Sequence, residues 1–300
     1  MITDVALGRI LRQRWGLPEE TQVARHDGGM GSRTWIVDCA GRRWVAKAVA
    51  PHLADQFAKG LQVASLLERA GIQSGAPSPT DSGSFTADTR DGCRIALLTW
   101  VPGIPLTGTG ERQQRLMGAT LARVHTALQG RSVTGAQRFH WVTPAASHLG
   151  LRSWLRPAVA AAVDALTDSE RRPPVRPSGL LHADPAPGAF RYDPARDRCG
   201  VIDWGSAVFG PLLYDVASCV MYLGGTGNAG PMLDAYCAAG PLTAAEIADG
   251  LPVMLRFRWA VQADYFARRI ADNDLTGIFG PAENEKGLED ARRALLASIV

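Results

Sequence analysis

Three hundred residues suffice for one large domain or two small ones, and a composition of 46% hydrophobic and 20% charged residues excludes a disordered chain. The net charge of +3 is too weak and too dispersed for a nucleic-acid footprint, so no nucleic-acid partner is expected. No apolar run reaches the roughly 18 residues of a membrane span, and Asp4 and Arg9 interrupt the N-terminal apolar stretch, so neither a membrane segment nor a signal peptide is expected.

In chain order, residues 5–16 read as a short amphipathic helix. Three runs rich in Val, Ile, Thr and Trp follow at 21–26, 34–38 and 44–49, separated by the turn signals DGGMGS and AGR, and the first two read as a hairpin with a glycine-rich tip. Helical spacing of Phe57, Leu61, Ala64 and Leu67 predicts a helix over 54–70, stopped by Gly71. Strands are expected at 82–87 and 93–100, then a Pro/Gly-containing linker at 99–106. Beyond it helices are predicted at 111–129, 145–168, 212–223, 230–239, 243–271 and 284–298, with one β-like island at 179–204. The expected plan is a β-rich part, residues 1–101, and a larger helical part, residues 102–300.

Of the 32 basic residues only Lys47, Lys59 and Lys286 are lysine. Lys59 and Lys286 fall on predicted helices, where a solvated charge is the default. Lys47 lies in the apolar strand RWVAKAV. Residues 211–300 hold 11 acidic against 7 basic side chains, a net of −4 that leaves +7 for the rest. Such an acidic third could attract a cationic ligand, although a solvated face explains it as well. Within it, Asp264 and Arg268 stand at i, i+4 and read as a surface ion pair. The five cysteines are scattered, without a CxxC, which points away from disulfides and zinc and towards a reducing, cytoplasmic setting.

The island GLLHADPAPGAFRYDPARDRCGVIDWGSAVFG carries the densest chemistry. Asp184 ends one apolar strand and Asp203 another, with DPARDR between them, so two carboxylates can serve one site. Clustered buried acids need a cation, and a divalent metal at one of them leaves the other free as a base. Upstream, Gly28, Gly29, Gly31 and Ser32 can bring backbone N–H groups against phosphate, and Lys47 can pair with anionic oxygens.

Glycine tip, strand lysine, linker, strand-end aspartate and a second aspartate form the kinase order of parts. HADPAPGA (182–189), VIDWGSAVFGPLLYDVA (201–217) and LMGATLARVHTAL (116–128) make the chain resemble the aminoglycoside phosphotransferase family, the small-molecule branch of the protein-kinase-like fold. The resemblance runs from about residue 20 to 295 and implies a bilobal α+β fold. It implies a phosphotransferase that uses ATP or GTP with Mg²⁺ and phosphorylates a hydroxyl group of a small molecule. Residue by residue, it makes Asp184 the base for the acceptor hydroxyl and Asp203 the Mg²⁺ ligand. It gives Lys47 to the α/β-phosphates, Gly28, Gly29, Gly31 and Ser32 to the triphosphate, and the backbone of Thr99, Trp100 and Val101 to the nucleobase. His182 and Asp215 would brace the catalytic loop.

Three departures from the family pattern stand out, the mildest being Ala183 in place of the usual glycine after the loop histidine. The family's loop asparagine, a second metal ligand, falls at Ala189, and the helix glutamate that would pair with Lys47 falls near Gly60, with Gln56 and Gln62 the nearest polar residues. They keep open a nucleotide- or metabolite-binding protein of impaired catalysis. A kinase acting on Ser/Thr of a precursor peptide is a further alternative. The acidic last third suits an amine-bearing acceptor such as an aminoglycoside or amino alcohol. Monomer and homodimer both remain open.

Overall fold

A computed structural model describes residues 2–26, 31–89, 91–139, 142–172 and 176–297. Along the chain run α1 (Asp4–Trp15), β1 (Gln22–His26), β2 (Arg33–Cys39), β3 (Arg42–Val49), α2 (Ala54–Arg69), the two-residue strands β4 (Pro77–Ser78) and β5 (Ala87–Asp88), β6 (Arg94–Thr99) and β7 (Ile104–Pro105). Then follow α3 (Glu111–Ala127), α4 (Leu155–Glu170), β8 (Ser178–Leu181), β9 (Phe190–Asp193), β10 (Arg198–Val201), β11 (Val208–Pro211), α5 (Leu213–Tyr222), α6 (Gly230–Ala239), α7 (Ala244–Ala271) and α8 (Pro281–Ala297). The architecture is α+β, with antiparallel sheet concentrated in the first third and helices in the rest. Among the described residues no helix is long and apolar enough to cross a membrane.

The chain divides into two compact units. The first comprises Met1–Pro105, Val133–Ala136 and Arg191–Ala207. Its main sheet has the strand order β1-β2-β3-β6-β4, with β5 also on β6, and every pairing is antiparallel. Ala40 and Gly41, at φ 49° and 74°, close the β2–β3 hairpin, where two consecutive positive-φ residues match the right-handed twist of the strands. Alternation along β3 sorts its side chains. Ala46 and Ala48 bury among Leu7, Leu11, Trp35 and Ile95, the core beneath α1. Val49, on the other face, packs with Phe57 and Leu61 of α2 and with Ala96. Lys47 shares that second face by period two, and its register partner is the fully buried Ala96. Thr3 caps α1 by accepting from Ala6 N–H at 3.2 Å, and Gly16 in the left-handed region ends it.

The second unit comprises Leu106–Ser132, Gln137–Phe190 and Val208–Val300. Helix α5 is buried on nearly every face, as its almost wholly apolar sequence requires. Helices α3 and α6 approach so closely that a Cβ at Gly118 would lie 2.1 Å from the Met232 carbonyl oxygen. Thr243 and Glu246 form a reciprocal capping box at the start of α7.

Two local expectations are corrected. Residues 82–87 form a turn that reaches only the two-residue β5, because Thr80 and Ser84 side chains bond the backbone N–H groups of Ser84 and Thr86 and compete with ladder formation. The helix expected over 145–168 is a single 3-10 turn, Ser147–Gly150, followed by α4 from Leu155. There Arg156 takes the carbonyls of Pro144 and Ala146, holding that backbone outside the helix. The two apolar strands of the island each pair with another strand. Strand β8 pairs with β11, and β10 with β9, because the DPARDR turn closes a local hairpin.

Candidate active site

Two carboxylates, one in each compact unit, are held by different means. In the first unit β10 ends at Val201, and two residues later Asp203 sits in the left-handed region at φ 74°. Such a conformation costs about 1–2 kcal/mol for a residue with a Cβ, though least for Asp and Asn. The following 3-10 turn, Trp204–Ser206, is anchored by Trp204, which is 4% exposed and donates its indole N–H to the Val201 carbonyl at 2.8 Å. Helix α2 presses on this turn. A Cβ at Gly60 would lie 2.0 Å from the Trp204 carbonyl oxygen, so only glycine fits there. One turn earlier Gln56 donates to the Ala207 carbonyl at 2.5 Å, while its buried Oε1 has no partner among the described residues.

The side chain of Lys47 reaches from β3 to this turn and meets Asp203 Oδ1 at 2.6 Å. The lysine is 14% exposed and the carboxylate 55%. The Gly60 position has no room for a side chain, and Asp203 itself supplies a carboxylate to Lys47. A half-exposed carboxylate suits a magnesium ion that takes its remaining ligands from phosphate and water. A cage of protein ligands is not available, because among the described residues no three His, Cys, Asp or Glu side chains converge.

In the second unit β8 ends at Leu181 and the chain turns sharply through Ala183, at φ 69°. The turn is built around Asp215 of α5, which is fully buried. Its Oδ2 accepts from the His182 N–H at 2.8 Å and its Oδ1 from the Ala183 N–H at 2.8 Å. His125 of α3 lies against the same carboxylate, with Nε2 3.2 Å from Oδ2, and its Nδ1 is 2.7 Å from the Tyr236 hydroxyl. A buried carboxylate surrounded this way is fully compensated and holds the loop rigidly. His182 is buried too, and its Nδ1 accepts from the Asp184 N–H at 3.3 Å.

Asp184 emerges from this turn with its side chain 48% exposed. Its Oδ1 accepts from the Tyr222 hydroxyl at 2.5 Å and from Arg258 Nη2 at 2.9 Å. Burial, reinforced by the Asp184 charge, pushes the Tyr222 phenol far above its ordinary value, so it stays a donor. Burial alone weakens the hold of Arg258 on its proton, but Tyr214 and Asp184 reverse this and leave its pKa above the ordinary arginine value. The loop continues into a 3-10 turn, Pro187–Ala189, where Ala189 offers no ligand atom. Arg258, Tyr222 and His125 were not singled out by sequence reasoning. Arg258 lies 74 residues beyond Asp184 on a long helix with no local motif, and its one sequence signal is an arginine between the apolar positions Phe257 and Trp259.

The remaining candidates fall as follows. Gly28 and Gly29 lie outside the described residues. A Cβ at Gly31 would meet nothing, and Ser32 is half-buried beside it. The Thr99 N–H donates to the Ala76 carbonyl at 2.9 Å, and Val101 is buried. The Trp100 ring carries the guanidinium of Arg43 at 5.2 Å and that of Arg191 at 6.0 Å. Asp264 is not a surface partner of Arg268. It is 4% exposed and lies 2.6 Å from His148 Nε2, because its helix face is turned inward against the 3-10 turn before α4. Much of the acidity of the last third is engaged internally, with Asp249 on Arg176, Asp274 on Arg269, Glu285 on Arg152 and Asp290 on Lys286.

The model of the phosphotransferase enzyme family, APH, matches residues 22–249. No curated protein matches the sequence. Among solved structures, an amicoumacin kinase in complex with AMP-PNP, Ca²⁺ and Ami superposes with TM-score 0.76 at 16% identity, covering 99% of this chain and 94% of the other. A microcompartment-associated aminopropanol kinase gives TM-score 0.72 at 17% identity, covering 97% and 95%. The choline kinase LicA from Streptococcus pneumoniae gives 0.68 at 14% identity, covering 98% and 99%. These likenesses establish a kinase-like fold, and the family match spans most of the chain: it belongs to the phosphotransferase enzyme family.

Proposed function

We propose that this chain transfers the γ-phosphoryl group of ATP or GTP, with Mg²⁺, to a hydroxyl group of a small molecule. Asp184 accepts the proton of the acceptor hydroxyl as its oxygen attacks the γ-phosphorus. The bond from that phosphorus to the β-bridging oxygen breaks, and the nucleoside diphosphate leaves. Lys47 binds the α/β-phosphates, Gly28, Gly29, Gly31 and Ser32 cover the triphosphate, and the backbone of Thr99, Trp100 and Val101 holds the nucleobase. Asp203 would hold the magnesium ion, which would supply neutralisation of the phosphate charge. Asp215 and His182 keep the catalytic loop in one conformation.

The observation that carries this reading is the state of Asp184: a half-exposed carboxylate on a loop pinned by the buried Asp215, with donors on one oxygen. The names of similar structures, an aminopropanol kinase, a choline kinase and an aminoglycoside phosphotransferase, support an acceptor of the amino-alcohol or aminoglycoside kind. Ala189 favours a second reading, a protein that binds nucleotide without turning it over.

Thermal shift with ATP and GTP, each with Mg²⁺ or Mn²⁺, combined with phosphate release, separates the two. The kinase reading expects nucleotide-dependent stabilisation and slow hydrolysis, followed by faster turnover with a matching acceptor from an aminoglycoside and amino-alcohol panel. Stabilisation without any turnover favours the second reading, and no stabilisation by any nucleotide contradicts both.

A further inference from the structure

The loop that presents Asp184 brings no cation of its own, since residues 185–189 read Pro-Ala-Pro-Gly-Ala. The positive charge comes from α7. Arg258 is 6% exposed overall, and its guanidinium is fixed on three sides. Nε donates to Ser218 Oγ at 3.1 Å, and that hydroxyl is itself held by the Tyr214 carbonyl at 2.8 Å. The Tyr222 ring lies 5.7 Å from the guanidinium carbon. Nη2 donates to Asp184 Oδ1 at 2.9 Å, the same oxygen that accepts from the Tyr222 hydroxyl at 2.5 Å. Among the described residues Asp184 Oδ2 receives no hydrogen bond.

The groups around Asp184 also single out Arg258. Burial pushes the Tyr214 phenol up to about 12, and pushes the Tyr222 phenol and the Cys219 thiol well above their ordinary values, so all three are neutral. Arg258 therefore brings the formal positive charge to Asp184, from a site too buried for solvent to replace it.

We propose that Arg258, assisted by Tyr222, is the positioning residue of the base: it locks Asp184 Oδ1 so that Oδ2 is the oxygen presented to the acceptor hydroxyl. This rests on the reading of Asp184 as the base. The buried guanidinium acts as a fixed peg, and the carboxylate cannot rotate without breaking two charge-assisted hydrogen bonds. A misplacement of the order of an ångström at such a position costs up to about 100-fold in rate.

The test compares Arg258→Met, Arg258→Lys, Tyr222→Phe and Asp184→Asn, and the Asp184→Asn/Arg258→Met double variant. Phosphate release from ATP with Mg²⁺ is measured for each, and crystal structures of the wild type and of Arg258→Met are determined with a non-hydrolysable ATP analogue. The expected result is a fall in kcat of about 10- to 100-fold in Arg258→Met with KM for ATP unchanged. Arg258→Lys should recover part of the loss, Tyr222→Phe should lose less than Arg258→Met, and the double variant should be no worse than Asp184→Asn. In the crystals Asp184 should hold one rotamer in the wild type and several in Arg258→Met. If Arg258→Met does not fold, the kinetics of Arg258→Lys and Tyr222→Phe carry the test. An unchanged Asp184 rotamer without Arg258, or unchanged kcat in the folded Arg258 and Tyr222 variants, overturns the proposal. Full hydrolysis by Asp184→Asn instead overturns the reading of Asp184 as the base, whatever Arg258 does.

Discussion

The two carboxylates at the centre of this account are fixed by opposite strategies. Asp203 is placed by backbone: a left-handed residue after a strand, followed by a 3-10 turn that α2 clamps through Gly60. Asp184 is placed by side chains that come from far along the chain, with Asp215 beneath its loop and Arg258 and Tyr222 on its Oδ1. The difference matches the tasks proposed for them. A metal ligand tolerates a mobile, half-exposed side chain if its backbone is fixed, because the ion and its phosphate ligands complete the geometry. A base must be aimed before the acceptor arrives, so its own oxygens are oriented.

The largest effect expected from breaking this comparison is at Gly60. In Gly60→Ala the new methyl collides with a backbone carbonyl, which cannot swing away as a side chain could. Overpacking of this kind costs about 1–3 kcal/mol, read as a lower Tm, and displacement of the Asp203 turn should abolish Mg²⁺-dependent nucleotide binding as well. Gly118→Ala meets a similar collision, with the Met232 carbonyl, in the second unit. It should lower Tm comparably and leave nucleotide binding intact. Calorimetric titration of both variants with ATP and Mg²⁺ decides the point. Equal nucleotide affinities would remove the special role given to the α2 contact.

A smaller effect is expected at Lys47. Lys47→Arg keeps the charge but replaces a compact ammonium by a planar fork in a space that leaves the lysine 14% exposed. Nucleotide affinity should fall about tenfold, or about 1.4 kcal/mol. Normal binding by Lys47→Arg would dissociate this strand from the triphosphate.

The same contrast governs what the sequence reveals. Asp203, Asp184 and the pinning Asp215 stand within one stretch of 32 residues, each beside a strand end or helix start, so order and spacing suffice to find them. Lys47 is legible because it is the one charge within the apolar run WVAKAV. The helices were legible from periodicity, and long ones such as α7 most of all. Pairing of the short island strands was not, since three- and four-residue apolar runs carry no register information and the partner of β8 lies beyond Asp203. Gly60 read as a missing glutamate because sequence shows which side chain is absent but not which backbone occupies its place. Asp264 read as exposed because i, i+4 spacing to an arginine says nothing of which helix face is buried. Arg258 stayed hidden for the reason it matters: its partner is 74 residues away and only the packing of α5 against α7 joins them.

The most direct test of the central claim is a dissociation of binding from turnover between the two aspartates, using calorimetry with ATP and Mg²⁺ and phosphate release on Asp184→Asn and Asp203→Asn. Asp184→Asn should bind nucleotide as the wild type does but lose turnover by about 100-fold or more, whereas Asp203→Asn should lose the Mg²⁺-dependent part of binding itself. Wild-type turnover by Asp184→Asn, or wild-type Mg²⁺-dependent binding by Asp203→Asn, would contradict that claim.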